Sequence, residues 1–395
     1  MKHNFFIFLS SALFFGCTSL SMDKVEYANY SILHSEDSGF FDIGKFGTHD
    51  VGILGLDNHT ELLFFLDKNI TYRAAVIKYM TEDPDGNPIE ASGLVFHPLN
   101  KKSKGVVVSL PTARIGSVGP SDEIFAIEGV MVYRGYTVIM PDLLGFGVSK
   151  GSTKAPFLMT HNTGKVTYDM HRAAAQYLWD TFAYSIPSKT TIVGYSLGGS
   201  AALSVQKYYE TYQSHSIKVK EVHAGGGAYD LPTAFSVFSQ TRYSEYPSIP
   251  KTILTFDHFY HLNIDFEKVF VGELLNNYQD WYSGIYSIAE LMERLGSNIE
   301  SYMHPDFFKP MGQQNEEFEK LYPYLVENSV SMGWSPKAPV YLIHAKNDTY
   351  VPVECAQVAV RNFRRSGSNV SFTIYPSNHL LIGLFYFFET LLRYL

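Results

Sequence analysis

The sequence predicts a doubly wound α/β domain: a mostly parallel sheet, helices on both faces, and a helical unit inserted late in the chain. Three observations predict it. Short apolar runs rich in β-branched residues alternate with longer helix-patterned stretches, the order of βαβ units. The runs lack polar alternation, as strands buried on both faces require. The alternation fails only between about residues 231 and 336, where aromatic residues crowd a helical pattern. The 395 residues are 46% apolar, enough for a large core, which excludes a disordered or fibrous chain. The formal charge of −8 gives no electrostatic reason to expect a nucleic-acid partner. Two cysteines, Cys17 and Cys355, exclude a disulfide framework and a cysteine-based zinc site.

In chain order, Lys2 precedes an apolar run from Phe5 to Phe15, and Gly16-Cys17 follows it. That run is too short for a bilayer, which takes about 20 helical residues. A secretory signal over residues 1–16 fits it. The ending Leu13-Phe14-Phe15-Gly16-Cys17 resembles a bacterial lipobox, although Phe14 stands where Leu is usual. The resemblance implies acylation of Cys17 and a lipid-anchored protein of the bacterial cell envelope, at the outer membrane or the periplasmic face. An ordinary cleaved signal is the alternative. Residues 17–60, rich in Gly, Ser and Asp, read as tether and irregular surface.

Residues 61–230 read as the first part of the core. Tyr72 to Tyr79 and Ala91 to Phe96 flank the turn signal Asp83-Pro84-Asp85-Gly86-Asn87-Pro88, a hairpin pattern. Buried strands follow at Gly105 to Leu110, Thr137 to Met140, Thr190 to Val193 and Val219 to Ala224. Helices are predicted over Asp169 to Phe182 and Leu197 to Tyr212. Residues 231–336 hold 20 of the chain's 60 aromatics, and Val271 to Leu295 follows helical spacing, so this block reads as a helical cap. Residues 337–395 complete the core, with strands at Val340 to Ile343 and Val370 to Ile374.

The chemistry lies on Gly194-Tyr195-Ser196-Leu197-Gly198, a G-x-S-x-G sequence between a predicted strand and a predicted helix. In that context the serine occupies a strained turn that lifts its hydroxyl above the sheet. The Leu197 N–H, at the helix start, points at a developing oxyanion. A nucleophilic serine needs a base, and the base an orienting acid. His379 follows the last predicted strand and precedes the terminal helix; Asp348 follows the strand before that. Both stand at strand ends, where sites of open α/β sheets assemble. Asp230 competes for the acid role, and His344 reads as support for the Asp348 loop.

These residues, with Pro141-Asp142-Leu143-Leu144-Gly145-Phe146-Gly147-Val148-Ser149-Lys150-Gly151, resemble the α/β-hydrolase superfamily over about residues 70 to 395. Tyr79-Met80-Thr81, Asn328-Ser329-Val330 and Trp334-Ser335-Pro336 resemble, more loosely, the secretory-lipase-like serine esterases of bacterial envelopes. The resemblance implies an ester hydrolase working through an acyl-enzyme on Ser196, with no cofactor and no metal. Two departures stand out. Relatives carry His-Gly after the third strand, where a second oxyanion donor arises; here the stretch is Leu110-Pro111-Thr112-Ala113-Arg114. Pro111 has no N–H to give, which leaves Thr112 or Ala113. Ala155-Pro156-Phe157 also replaces the usual His-Pro-Tyr.

Other patterns carry less. Gly145-Phe146-Gly147 lacks its third glycine at Lys150, so it is no dinucleotide fingerprint. Gly225-Gly226-Gly227 lacks the residues of a phosphate loop, and His258 with His261 lacks further metal ligands. Three alternatives to an esterase remain: a carbohydrate or xenobiotic deacylase, a peptidase of the prolyl-oligopeptidase type, and an inert binding protein on the same fold.

Overall fold

The computed structural model describes residues 29–38, 66–67, 69–111, 127–213, 217–310 and 312–393. The predicted signal, Cys17, Thr112 and Ala113 lie outside these residues. The apolar runs form one sheet of β1 (Tyr30–Ser38), β2 (Tyr72–Glu82), β3 (Pro88–Pro98), β4 (Val106–Leu110), β5 (Thr137–Pro141), β6 (Lys189–Tyr195), β7 (Lys218–Gly225), β8 (Val340–Ala345) and β9 (Val370–Tyr375). Its order is β1-β2-β3-β5-β4-β6-β7-β8-β9. From β5 to β9 neighbouring strands are parallel, and β1 to β3 form an antiparallel flank that joins through β5.

The strand period explains why these runs carry no polar alternation. In β4, Val106, Val108 and Leu110 face one core, while Val107 faces another. Ile139 and Ile192 join the first core, and Val138 and Val193 join the second. Successive side chains point to opposite faces, so a sheet covered on both sides must be apolar throughout. The hairpin turn is pinned by Asp83, whose Oδ1 accepts from the Asp85 and Asn87 amides at 3.0 and 2.8 Å.

β1 corrects the expectation of irregular tether over residues 17–60. Tyr30 pairs with Tyr79 and Ser38 with Tyr72, at the sheet's outer edge. An edge strand with an exposed face shows no apolar run, and Ile32 and Leu33 are exposed.

Helix α1 (Thr160–Phe182) packs beside α2 (Leu197–Tyr212). Its start precedes the predicted Asp169 because a tertiary partner holds it: the Thr160 amide donates to Asn328 Oδ1 at 3.0 Å, and its hydroxyl to the Asn328 carbonyl at 2.6 Å. Local propensity in Thr-His-Asn-Thr-Gly does not favour that turn.

Between β7 and β8 the chain forms α3 (Leu231–Thr241), α4 (Ser248–Tyr260), α5 (Gly272–Trp281), α6 (Ile288–Leu295) and α7 (Glu316–Glu327). Phe256, Phe270, Phe307 and Leu321 bury completely in a core separate from the two that flank the sheet. The periodic stretch Val271 to Leu295 is two helices, not one. Gly284, at φ +94°, turns the chain between them, Ile285 is exposed, and a Ser287–Glu290 capping box starts α6. Ser329 ties the end of this unit to its start by accepting from the Leu231 amide at 2.9 Å. The chain ends with α8 (Val353–Arg365) and α9 (His379–Leu392). No described helix is long and apolar enough to cross a membrane.

Candidate active site

Ser196 stands where β6 gives way to α2, with φ 57° and ψ −121°. A side chain there costs on the order of 1–3 kcal/mol of backbone strain, held only when the surroundings impose it. Here they do. The Ser196 amide donates to the Gly225 carbonyl at 2.8 Å, and its own carbonyl accepts from Gly199 and Ser200. The flanking glycines answer to space: a Cβ on Gly194 would lie 2.1 Å from the Gly198 oxygen, and one on Gly198 2.6 Å from the Leu110 oxygen. That second approach brings the end of β4 against the turn, beside the point where strand order reverses.

His379 begins α9, whose N-cap Asn378 accepts from the Leu381 amide at 2.9 Å. Its Nε2 lies 2.9 Å from Ser196 Oγ, and its Nδ1 lies 2.7 Å from Asp348 Oδ2. Two rings hold the imidazole. Tyr350 stacks on it at 4.9 Å and 18°, and Tyr195 lies tilted at 5.3 Å. The Tyr195 hydroxyl also donates to the His379 carbonyl. Burial pushes that phenol well above its ordinary pKa, so it stays a donor.

The Asp348 side chain is fully buried. Its Oδ1 accepts from the Tyr350 and Val351 amides at 3.0 and 2.8 Å. Burial alone would raise its pKa, but hydrogen bonds from His344 and His379 outweigh it and hold the carboxyl well below the usual range. The ionised carboxylate therefore fixes the proton of His379 on Nδ1 and leaves Nε2 to accept from Ser196. His344 Nε2 lies 3.3 Å from Asp348 Oδ2 and 3.0 Å from the Val351 carbonyl, closing the loop that carries the acid.

Asp230, the competing acid, is committed elsewhere. It caps α3 by accepting from the Thr233 amide at 3.0 Å, and its other oxygen accepts from Ser331. Leu197 is the first residue of α2, where a helix amide has no acceptor within the helix. The proposed second donor, Thr112 or Ala113, falls outside the described residues. Gly225 serves the backbone of Ser196, and among the described residues no cluster that could hold a metal ion includes His258 or His261.

A cavity opens beside Ser196, about 600 Å³ with its mouth included, walled by Leu158, Leu197, Phe235, Phe238, Tyr246 and Ile249 among others. A second, about 530 Å³, shares Phe157, Leu158, Leu197, Ser200 and Ala228 with it. Of the aromatics in residues 231–336, only Phe235, Phe238 and Tyr246 line the first cavity; others, such as Phe256, Phe270 and Trp281, pack into the helical unit's own core.

The profile of the dienelactone hydrolase family matches residues 91–216, roughly a third of the chain, which contains Ser196 but neither Asp348 nor His379. Solved structures match far more of it. A candidate hydrolase from Legionella pneumophila superposes with TM-score 0.73 at 20% identity, over 93% of this chain and 96% of that one. The rice cell wall degrading esterase LipA from Xanthomonas oryzae, in a ligand-bound form, gives 0.71 at 18%, over 92% and 96%. The fold is that of the α/β-hydrolases. Candida antarctica lipase A shares it at TM-score 0.57 and 16% identity, over 88% of this chain and 77% of that one. No curated protein matches the sequence. In the α/β-hydrolase frame, Ser196 sits on the turn after β6, Asp348 after β8 and His379 after β9, all at one edge of the sheet.

Sequence reasoning missed Tyr195 and Tyr350, the rings that hold His379, and Lys251, which lines the second cavity. For Lys251 a signal existed: one cation between Ile249 and Ile253 on a helical turn that holds no other charge.

Proposed function

We propose that this chain is a serine carboxylic-ester hydrolase. The observation that carries the proposal is the continuous chain from Ser196 Oγ to His379 to Asp348, at 2.9 and 2.7 Å, beside an apolar cavity. The family profile over the serine turn supports a hydrolase in general terms. In the proposed reaction Ser196 Oγ attacks the acyl carbonyl while His379 Nε2 takes its proton. Asp348 stabilises the imidazolium that forms, and the Leu197 amide receives charge on the carbonyl oxygen. His379 then protonates the leaving alcohol. Water, deprotonated by the same nitrogen, releases the acid and restores Ser196.

The cavity's apolar wall favours an acyl group longer than acetyl. Each methylene that buries there adds up to about 0.8 kcal/mol of binding until the space is full. The experiment is kcat/KM on p-nitrophenyl esters from acetyl to octanoyl, with an amide and a peptide analogue beside them. The expected result is a rise from acetyl to a medium-chain maximum and far slower amide cleavage. A steady fall from acetyl upward favours a deacetylase instead.

The lipobox-like sequence supports a further proposal, that Cys17 carries the lipid that anchors the protein to an envelope membrane. Cys17→Ser should then release the protein from the detergent-soluble membrane fraction, because the anchor rests on acyl chains at that residue. Unchanged partitioning would contradict the anchor.

A further inference from the structure

Helix α4 faces both cavities. Ser248, Ile249 and Thr252 line the one that Ser196 lines, and Lys251 lines the one adjoining it. The Lys251 ammonium lies 4.7 Å from the centroid of the Phe157 ring, a residue common to both cavities. Among the described residues it makes no hydrogen bond and no ion pair. Leu143, Leu144, Phe146, Pro156 and Val330 dominate the surrounding wall; Thr160, Thr163 and Asn328 are among its polar members, and among the described residues no acidic side chain lines it. Asn328 is already spent, bonded to the Thr160 amide and to Tyr260 and Tyr324.

A cation removed from bulk water without a counter-ion is costly. The face of Phe157 offsets part of that cost and leaves the charge in place. Burial pulls the ammonium down to about 8, and among the described residues no neighbouring charge opposes it. A structural lysine would be paired with a carboxylate or carried out to solvent along its apolar stem. Lys251 is half-buried and, among the described residues, has no carboxylate partner; it presents its charge to a largely apolar cavity that adjoins the one at the serine.

We propose that Lys251 binds a carboxylate on the substrate, making the preferred esters those that carry a second, free acid group remote from the bond cleaved, such as monoesters of short dicarboxylic acids. This inference rests on the reading of Ser196 as the nucleophile of an esterase. The ammonium supplies a charge-assisted hydrogen bond at a largely apolar wall, worth about ten- to hundredfold in affinity over a neutral group of equal size. The apolar walls hold the chain that links the two acid groups. Arg in place of Lys251 would keep the charge but change its reach.

The test has two arms. In the first, calorimetry measures binding of monomethyl glutarate, an anion, and dimethyl glutarate, neutral, to the Ser196→Ala protein with and without Lys251→Met. The anion should bind at least about tenfold tighter when Lys251 is present, and the difference should vanish with Met. Equal binding in the first protein, or an anion preference that survives Lys251→Met, overturns the proposal. In the second, kcat/KM is compared for p-nitrophenyl hemiglutarate and p-nitrophenyl butyrate. Their ratio should exceed about ten in the wild type, approach one in Lys251→Met, and recover in part in Lys251→Arg. A protein that hydrolyses butyrate without preferring the hemiester keeps the esterase reading and loses the anion site. One that binds the anion through Lys251 yet hydrolyses neither ester loses the esterase reading and keeps the site.

Discussion

At the edge of the sheet, Ser196, His379 and Asp348 are joined by hydrogen bonds of 2.9 and 2.7 Å, and two backbone amides complete the carboxylate. Across the cavity, the helical unit meets the same space with Phe235, Phe238, Tyr246 and Ile249, whose contacts have no direction, and with one ammonium that has no counter-ion among the described residues. The two regions therefore divide the work. Directional bonds leave the sheet edge one arrangement of donors and acceptors, which suits a reaction. Apolar packing sets only volume and shape, which suits a choice among substrates.

The largest effects should come from breaking the sheet edge. Ser196→Ala and His379→Ala should each cut kcat on p-nitrophenyl butyrate by ~10⁴-fold or more, because such residues act as a unit. Asp348→Asn should lose nearly as much, since an amide would favour the wrong imidazole tautomer. Asp230→Asn should stay within a few-fold, because Asp230 caps α3 and bonds Ser331 rather than His379. A dead Asp230→Asn enzyme with an active Asp348→Asn one would reverse the assignment of the acid.

The helical unit should respond differently at its two surfaces. Phe235→Ala, at the cavity wall, should lower the octanoyl-to-acetyl ratio of kcat/KM by about tenfold. Phe256→Ala, in the unit's own core, should cost about 3–5 kcal/mol of stability and leave that ratio unchanged. Chemical denaturation and the ester series, run on both variants, separate the two. Equal shifts in the ratio would mean that the wall is not where the acyl chain lies.

The smallest effect is one of pH, read as a ratio so that changes in His379 and in fold cancel. Lys251 carries its charge below about 8 and loses it as pH rises through that value. Among the described residues no other titratable side chain lines its cavity. The hemiglutarate-to-butyrate ratio should therefore be highest near pH 7 and fall severalfold by pH 9. A flat ratio would mean that no group of that kind meets the carboxylate.

Much of the sheet edge was legible in the sequence because each feature is local. Gly194-x-Ser196-x-Gly198 must pass a strand into a helix at close range, and the spacing records that constraint. Asp348 follows the buried strand β8 and His379 follows β9, an edge strand without a buried residue whose β-branched and aromatic residues still mark it, so the pattern that locates the strands also locates them. Tyr195 and Tyr350 were not legible as partners of His379, since their ring contacts join the end of β6, the loop after β8 and the start of α9 in space. β1 was hidden because an edge strand need not be apolar, and the break between α5 and α6 because Gly284 interrupts a period that continues on both sides. The isolation of Lys251 depends on what lines a cavity, and no sequence period encodes that.

The central claim is that Ser196 is a nucleophile activated by His379 and Asp348. Its most direct test is intact-mass and peptide analysis after exposure of the folded protein to a fluorophosphonate. One label on the wild type, located at Ser196, absent from Ser196→Ala and formed far more slowly in His379→Ala, is the predicted result. Folded wild-type protein that takes no label, or a label that persists in Ser196→Ala, would contradict it.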